Sequence, residues 1–466
     1  MRQPGSVLLV SCYELGHQSF AIASSVAFLQ RAGYSPNVLD LSVSHFDVEQ
    51  VAQALFVGIS VPMHTALRLG VRTAEHIRKV NPSCHICFYG IYASLNSKYL
   101  LEHFADSVIG GEFEEPLLML IEALCDKKNS GRDLLEIEGV SFRDRTQAPY
   151  LARLDFVPLS YRGLPPLSRY ARVISNGSHR LAGYIEASRG CLHHCLHCPI
   201  PPIYNGRFFV VPRRIVLDGI RKLVAQGASH ITFGDPDFLN GPGHSLSIVR
   251  SIHDEFPNLT FDFTAKVEHL LKHRTFLSEF REAGCLFVVS AFESVNDAVL
   301  MNLDKEHSRE NICELLEVFR KVDITIRPTW IPFTPWTTID DYIDLLEFVC
   351  SEQLIHNIDS VQYTIRLLVP PGSLLLHRGD MKLYVTGLDQ PNFSYRWTHP
   401  DPQMDQLQKN VNELVEQMIE SKSSTAMIFE RVRQLAYAAH GAEAAPFVKD
   451  FGPQIEPPRL TEAWFC

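Results

Sequence analysis

Residues 186–200 read EASRGCLHHCLHCPI and bring Cys191, Cys195 and Cys198 within eight residues of the chain. Their spacing is C-x-x-x-C-x-x-C. The loop directly follows the strand-like run GYIEA, and Gly190 permits a tight turn before the first cysteine. Thiolates are soft ligands that suit iron–sulfur clusters. A loop this short predicts three ligands on a [4Fe–4S] cluster, with the fourth iron left open for a bound molecule.

A structural zinc site is the main alternative for this loop. Such a site takes four ligands, so His193, His194 or His197 would have to supply the fourth. Structural zinc sites usually draw paired ligands from two separated segments, which favours the iron–sulfur interpretation. Chance clustering of buried cysteines is a second alternative, but structural cysteines rarely crowd into one loop.

Composition limits the class of protein. The 466 residues include 53 acidic and 43 basic ones, giving a net charge of −10 without a dense basic tract. This balance argues against nucleic acid or an anionic membrane as the main partner. The N-terminal apolar run is too short for a signal peptide or a membrane span, so we expect a cytoplasmic protein. Its eleven cysteines are then not a disulfide framework.

The chain before the cysteine loop alternates strand-like and helix-like segments. Five such βα units predict a flavodoxin-like, doubly wound domain over residues 1–150, with ligands at the carboxyl ends of its strands. Residues 151–180 are rich in proline and predict a connector. Cys84 and Cys87 lie in an apolar strand-like run, so packing is the favoured interpretation of this C-x-x-C.

The remainder predicts a second α/β domain and a helical end. Six strand candidates within residues 181–390, the last of them SVQYTIRLLVP, predict a partial (β/α)6 barrel of the TIM type. Residues 391–466 predict helices followed by an extended, proline-rich tail. The predicted fold class is therefore α/β, with a doubly wound domain, a partial barrel and a helical C-terminal region.

The cysteine loop after the first barrel strand resembles that of the radical SAM superfamily, and the resemblance covers roughly residues 180–380. It implies a [4Fe–4S] cluster whose open iron is chelated by S-adenosylmethionine (SAM). Reduction by one electron then yields a 5′-deoxyadenosyl radical. The implied partners are a small-molecule or peptide substrate and an external one-electron donor such as flavodoxin or ferredoxin. Neither nucleic acid nor a membrane span is expected.

The resemblance also implies SAM contacts near the strand ends, at Leu196, Gly234, Asp235, Glu293, Ser294 and Arg327. Asp235 or Asp237 would accept a hydrogen bond from the SAM ammonium. Glu293 or Ser294 would bind the ribose hydroxyls or the methionyl end. Arg327 would pair with the carboxylate.

Ordinary structural roles remain open for each of these residues. Leu196, near the adenine in the family, would equally serve as a packing residue. An aspartate in the stretch 233–237 would also cap a helix. Arg327 would also form a surface salt bridge. For Lys266, after the third barrel strand, a solvated side chain is the favoured interpretation.

The N-terminal domain resembles the cobalamin-binding domains of one radical SAM branch, with residues 110–114 (GGEFE) similar to a segment near their end. Cobalamin is therefore a candidate cofactor, and methyl transfer to carbon the corresponding reaction. Without cobalamin, a hydrogen-abstraction rearrangement or a reaction at a C–C or C–S bond of an unknown substrate stays open. His17 is out of register with the cobalt-ligating histidine of related domains, so we interpret it as a loop residue. The alternative function is a cobalamin-free iron–sulfur redox or metal-binding protein.

The chain ends in PPRLTEAWFC. This ending resembles the tail of a small radical SAM family named for its CUAEP or CCAEP sequence, in which a cysteine precedes selenocysteine or a second cysteine. The resemblance implies that the natural chain continues past Cys466. An ordinary disordered terminus is the alternative.

Overall fold

The computed structural model describes residues 1–125, 136–445 and 456–462. Its first sheet has the order β2-β1-β3-β4-β5-β6, in which the first five strands are parallel and β6 is antiparallel to β5. The strands are β1 (Val7–Ser11), β2 (Asn37–Asp40), β3 (Phe56–Ser60), β4 (His85–Tyr89), β5 (Ser107–Ile109) and β6 (Val140–Ser141). This order confirms the predicted flavodoxin-like domain.

Helices cover both faces of this sheet. They are α1 (Phe20–Arg31), α2 (Val48–Gln53), α3 (His64–Val80), α4 (Ile91–Leu95), α5 (Ser97–His103) and α6 (Glu114–Cys125). Because successive strand residues point to opposite faces, two apolar cores form. Cys84 packs in one core and Cys87 in the other, as the packing interpretation predicts.

The second sheet curls into a half-barrel. Its order from one edge is β14-β13-β12-β11-β8-β7; the first five are parallel and β7 forms a hairpin with β8. Its strands are β7 (Arg172–Ser175), β8 (Ser178–Ile185), β11 (His230–Phe233), β12 (Thr260–Thr264), β13 (Cys285–Glu293) and β14 (Thr325–Trp330). Two short strands, β9 (Ser188–Gly190) and β10 (Phe208–Val210), pair beside it. The half-barrel confirms the predicted fold class.

The outer face of this sheet is covered mainly by helices that follow its strands. In chain order the covering helices are α8 (Arg213–Ala225), α9 (Pro242–Glu255), α10 (Val267–Lys272), α11 (Leu277–Glu282), α13 (Arg309–Val322) and α14 (Ile339–Ser351). One extensive apolar core lies between them and the sheet. Two short helices, α7 (Pro201–Tyr204) and α12 (Asp297–Asn302), belong to separate apolar clusters.

The segment SVQYTIRLLVP, predicted as the sixth strand, does not form a strand of the sheet in the structure. Residues Ser360–Thr364 form a 3-10 helix, and only a single parallel bridge joins Arg366 to Phe333. The physical reason is that the side-chain carbonyl of Gln362 accepts the backbone N–H of Trp330 at 2.9 Å. A side chain therefore takes the bond that a ladder partner would have made on β14.

The C-terminal region is largely helical, as the sequence predicts. It comprises α15 (Met381–Tyr384), the hairpin β15 (Val385–Asp389) and β16 (Ser394–Trp397), then α16 (Pro402–Glu420) and α17 (Thr425–His440). A last strand, β17 (Arg459–Leu460), pairs antiparallel with β7 at the edge of the half-barrel. Cys466 lies outside the described residues. Domain boundaries near residues 150, 180 and 390 stay predictions.

None of the described helices is both long enough and apolar enough to cross a membrane.

Candidate functional site

The carboxyl ends of the strands of both domains face one cavity of about 810 Å³. The N-terminal domain contributes the strand ends and loops predicted to bind a ligand, including Ser60, Gly90 and Gly111. The half-barrel contributes the three cysteines and polar side chains from four strands or their ends, including Asp235, Asp262, Glu293 and Arg327. A cavity of this size between two domains is a typical ligand site.

The cysteine loop is held in shape by its first glycine and by a side chain from the next strand end. Gly190 has a φ of +76°, and a Cβ there would lie 2.5 Å from the carbonyl oxygen of Arg207. Only glycine fits this turn without strain. The side-chain carbonyl of Asn240 accepts the N–H of Leu192 at 3.2 Å. Protein contacts with the half-barrel therefore help to set the shape of the loop.

The three cysteines fit an iron–sulfur cluster. All are free thiols on the cavity wall; Cys191 and Cys195 are buried and Cys198 is half-buried. Burial raises the pKa of Cys191 to about 11 and that of Cys198 to about 12. Such thiols stay protonated at neutral pH unless a metal replaces the proton. Among the described residues that line the cavity there is no fourth cysteine, which fits a cluster with one open iron.

Glu293 stands at the end of β13, next to the loop. Its φ of +64° is unusual for a residue other than glycine, and such strain is often found at functional sites. One carboxylate oxygen lies 3.2 Å from Nζ of Lys305 and 3.3 Å from Nε2 of His197. Burial alone would raise the pKa of Glu293, but the ammonium of Lys305 and the hydrogen bond to His197 outweigh it and lower the pKa to about 2. The residue is therefore an anion in the cavity wall.

Asp235 braces the start of the loop instead of standing free. Its two carboxylate oxygens accept the N–H of Ala187 at 2.9 Å and the hydroxyl of Ser188 at 2.6 Å. Burial raises the pKa of Asp235 to about 7. Gly234 is needed for a close approach, because a Cβ there would lie 1.9 Å from the hydroxyl oxygen of Tyr184. Both residues line the cavity.

Arg327 lies deeper in the half-barrel than Glu293. Val289 of β13 pairs with Arg327, whereas Glu293 pairs with Trp330. Three strand residues correspond to about 10 Å of depth. Nη2 of Arg327 donates to Asp359 at 2.7 Å, while Nη1 is buried without a protein partner and the side chain lines the cavity. This nitrogen is therefore available to donate a hydrogen bond to a molecule in the cavity.

Leu196 and Ser294 are outside the described lining of the cavity. Leu196 packs against an apolar cluster that includes Leu303 and Leu375, and its N–H donates to the carbonyl of Leu303 at 3.0 Å. The hydroxyl oxygen of Ser294 accepts the N–H of Asn296 at 3.1 Å. Their predicted SAM contacts remain predictions.

Lys266 is buried, so its interpretation as a solvated side chain is wrong. Its ammonium pairs with Glu306 at 2.6 Å and lies 3.0 Å from Nδ1 of His193. Its backbone N–H donates to Asp237 at 3.1 Å. The other carboxylate oxygen of Asp237 accepts the N–H of Leu239 at 2.8 Å, the capping role weighed for this stretch.

Arg189 is the main residue that sequence reasoning misses. It lies two positions before Cys191 and is buried between the domains. Its guanidinium bonds to Glu112 at 2.9 Å and to both oxygens of Glu114 at 2.6 and 2.9 Å, and it contacts Glu186 at 3.2 Å. The two N-terminal glutamates belong to the quoted GGEFE segment, but nothing local signals their partner more than 70 residues away.

The loop after β1 reaches the half-barrel as well. His17 is buried in the cavity wall and stacks on Tyr184 with ring centroids 4.6 Å apart. Glu14 lines the same wall; one of its oxygens is buried without a partner, and burial raises the pKa of Glu14 to about 8. These contacts close the space between the two domains at this side.

Comparison with known proteins gives a family for the half-barrel. Residues 185–349 match the Radical SAM superfamily. The chain is 28% identical over 185 residues to ribosomal protein uS12 methylthiotransferase RimO of Bacteroides thetaiotaomicron, covering 36% of this chain and 40% of that protein. It is 27% identical over 204 residues to RimO of Carboxydothermus hydrogenoformans, covering 41% and 45%. The chain thus spans less than half the length of these curated relatives.

Solved structures share the fold over more of the chain. The cobalamin-dependent S-adenosylmethionine radical enzyme OxsB, with aqua-cobalamin and S-adenosylmethionine bound, superposes with a TM-score of 0.71 at 14% identity, covering 93% of this chain and 71% of OxsB. The radical S-adenosylmethionine methyltransferase TsrM of Kitasatospora setae superposes with a TM-score of 0.60 at 18% identity, covering 75% and 74%. At these identities the likeness establishes the fold alone.

Members of the matched family use a [4Fe–4S] cluster and SAM, the cofactors predicted from the cysteine loop. The match begins at Ile185, just before that loop, and ends within α14. Residues 185–349, which contain the cysteine loop, are therefore the part of the chain that matches this family.

Proposed function

We propose that the protein is a radical SAM enzyme that cleaves SAM reductively at a [4Fe–4S] cluster on Cys191, Cys195 and Cys198. The observation that carries the proposal is the set of three free, mostly buried thiols on the wall of the cavity, beside an ionised Glu293. When bound, the cluster supplies the electron and SAM supplies the 5′-deoxyadenosyl group.

In this proposal the protein's own residues bind and orient SAM. Glu293 accepts hydrogen bonds from the ribose hydroxyls or the methionyl ammonium, and Lys305 and His197 hold its carboxylate in place. Asp235 acts mainly by fixing the turn at Ala187. Gly234 leaves room for the hydroxyl group of Tyr184 in the cavity wall. The unpartnered Nη1 of Arg327 donates to a carboxylate, as the sequence predicts for the methionyl end.

We further propose cobalamin as a second cofactor and methyl transfer as the reaction. Support comes from the strand ends of the N-terminal domain, which line the same cavity as the cysteines. The folds of OxsB and TsrM, both solved with cobalamin, agree with this placement. The substrate is a small molecule or a peptide that enters the same cavity, and an external donor such as flavodoxin or ferredoxin supplies the electron.

The test uses anaerobically reconstituted protein. We expect about four irons and four sulfides per chain and an electron paramagnetic resonance signal that changes when SAM is added. After incubation with hydroxocobalamin and desalting, we expect about one cobalt per chain. If the electron paramagnetic resonance spectrum of the cluster does not change when SAM is added, the result favours the alternative, a cobalamin-free redox protein. A cluster that responds to SAM without bound cobalt rejects only the cobalamin part.

A further inference from the structure

Two imidazoles and a carboxylate surround one point beside the cysteine loop. Nε2 of His193 lies 3.4 Å from Nδ1 of His269 and 3.7 Å from Oδ2 of Asp237. Nδ1 of His269 lies 3.0 Å from the same carboxylate oxygen. Ligand atoms placed tetrahedrally around zinc at about 2.0–2.2 Å are about 3.3–3.6 Å from one another. The triangle has the size of one face of such a tetrahedron.

A hydrogen bond satisfies one edge of this triangle, because a proton on Nδ1 of His269 is donated to Asp237 at 3.0 Å. A lone pair on Nε2 of His193 then has only a long contact, 3.4 Å to Nδ1 of His269, and it lies 3.7 Å from Oδ2 of Asp237, which is too far for a hydrogen bond. A cation at the centre would take all three atoms as ligands.

The surrounding charges favour a divalent cation. Three carboxylates, those of Asp237, Glu268 and Glu306, stand against two ammonium groups, Lys266 beside Glu306 and Lys272 4.0 Å from Glu268, so the cluster carries a charge of −1 when both imidazoles are neutral. One ligand atom from each of His193, Glu268 and His269 lies within 4.8 Å of the others. The partly exposed Glu268, whose Oε2 lies 3.6 Å from Nε2 of His269, is a further carboxylate beside the triangle.

The far side of His193 is arranged as it is in known metal sites. Its Nδ1 lies 2.8 Å from Oε2 of Glu306, which leaves Nε2 directed at the triangle. A carboxylate behind a ligating histidine fixes its tautomer and strengthens it as a ligand. Lys266 stays on this Nδ1 side, where it pairs with Glu306 at 2.6 Å.

We propose that His193, His269 and Asp237, together with Glu268, bind a divalent transition metal, with zinc as the best match to the nitrogen and oxygen ligands and their spacing. This site is separate from the three cysteines and does not depend on the proposed reaction. It ties the cysteine loop, through His193, to the end of β11 and the start of α10. Its role is to fix the loop.

The test measures zinc and iron in the same sample of cluster-loaded protein, after equilibration with zinc sulfate and removal of loosely bound metal. We expect about one zinc beside about four irons per chain. His269→Gln and Glu268→Gln each lower the retained zinc at least tenfold without changing the iron. The control is His273→Gln, whose ring lies 6.1 Å from that of His269 but outside the triangle.

Three results would overturn the proposal. The first is wild-type protein that keeps its iron but retains no zinc; the proposed radical SAM function would then still stand. The second is zinc retained in both His269→Gln and Glu268→Gln. The third is zinc gained only as iron is lost, which would place zinc on the cysteines. Cobalt in place of zinc separates that case, because thiolate ligands add an intense charge-transfer absorption that nitrogen and oxygen ligands lack.

Discussion

Arg189 and Glu114 form a two-pronged ion pair, with N–O distances of 2.6 and 2.9 Å, in the buried interface between the two domains. Arg189 also lies between the rings of Phe20, Phe113 and Phe156, each about 5 Å from its guanidinium carbon. Because Cys191 follows two residues later, the N-terminal domain helps to fix where the cysteine loop begins.

Arg189→Met should destabilise the protein strongly. The change leaves the buried Glu112 and Glu114 without their cation, and breaking such a network costs on the order of 3–5 kcal/mol. Urea unfolding measures the loss, and iron analysis should show incomplete cluster loading. Arg189→Lys should recover only part of the stability, because an ammonium cannot replace the planar fork.

Arg221→Met is the matched control for that variant. Arg221 also forms a two-pronged pair, with Glu255, but on the surface. Exposed pairs contribute little to stability, because water and salt screen them, so Arg221→Met should lose far less stability than Arg189→Met. Equal losses of stability in the two methionine variants would show that the buried network does not join the domains.

The ionised carboxylate of Glu293 predicts how the free energy of unfolding changes with pH. Its folded pKa of about 2 lies below the ordinary value of 4.5, so its contribution to stability is present above pH 4.5 and is lost as pH falls towards 2. The full contribution is on the order of 3 kcal/mol. Glu293→Gln and Lys305→Met should each flatten the fall in unfolding free energy between pH 5 and pH 3. Parallel curves for wild type and both variants would contradict this assignment.

Arg327→Gln should weaken SAM binding. Loss of a charged hydrogen bond costs about 1.5–3 kcal/mol, which corresponds to a Kd raised roughly 10- to 100-fold. Equilibrium dialysis with labelled SAM measures it, with iron content as a check on folding. Arg366→Gln is the control, because its guanidinium lines the cavity but is already committed to Asp405 and to the carbonyl of Trp397. If the Kd for SAM is unchanged in Arg327→Gln, the unpartnered nitrogen of Arg327 does not bind SAM.

A bulky side chain at Thr65 should block cobalamin while sparing the cluster. Thr65 lies in the first turn of α3 and lines the cavity, whereas Glu75 is exposed further along the same helix. Cobalt retained after incubation with hydroxocobalamin should fall at least tenfold in Thr65→Trp and stay unchanged in Glu75→Trp. Equal cobalt in both variants would mean that cobalamin, if bound, does not use this edge.

The sequence predicts elements whose signals are local. The five parallel strands of the first domain and the cysteine loop were readable because apolar periodicity, Gly190 and cysteine spacing all lie within short windows. The extended pattern of SVQYTIRLLVP predicts a strand wrongly, because its conformation depends on a hydrogen bond between Gln362 and Trp330, which lies 32 residues away. No window around residue 362 contains that partner.

The candidate site shows the same limit. Cys191, Cys195 and Cys198 stand out from their spacing, but the partners of Glu293, Arg327 and Arg189 come from other strands or from the other domain. Lys266 shows how an isolated residue misleads, because its burial is set by Glu306, 40 positions later. Long-range ion pairs of this kind carry no pattern in the sequence.

The most direct test of the central claim is the amount of 5′-deoxyadenosine formed from SAM by anaerobically reconstituted, dithionite-reduced protein, measured by mass spectrometry. Wild-type protein should form it and Cys195→Ala should not, whereas Cys313→Ala, a half-buried cysteine on α13, should match the wild type. A wild-type protein that holds four irons yet forms no 5′-deoxyadenosine, or a Cys195→Ala variant that forms as much, would contradict the account.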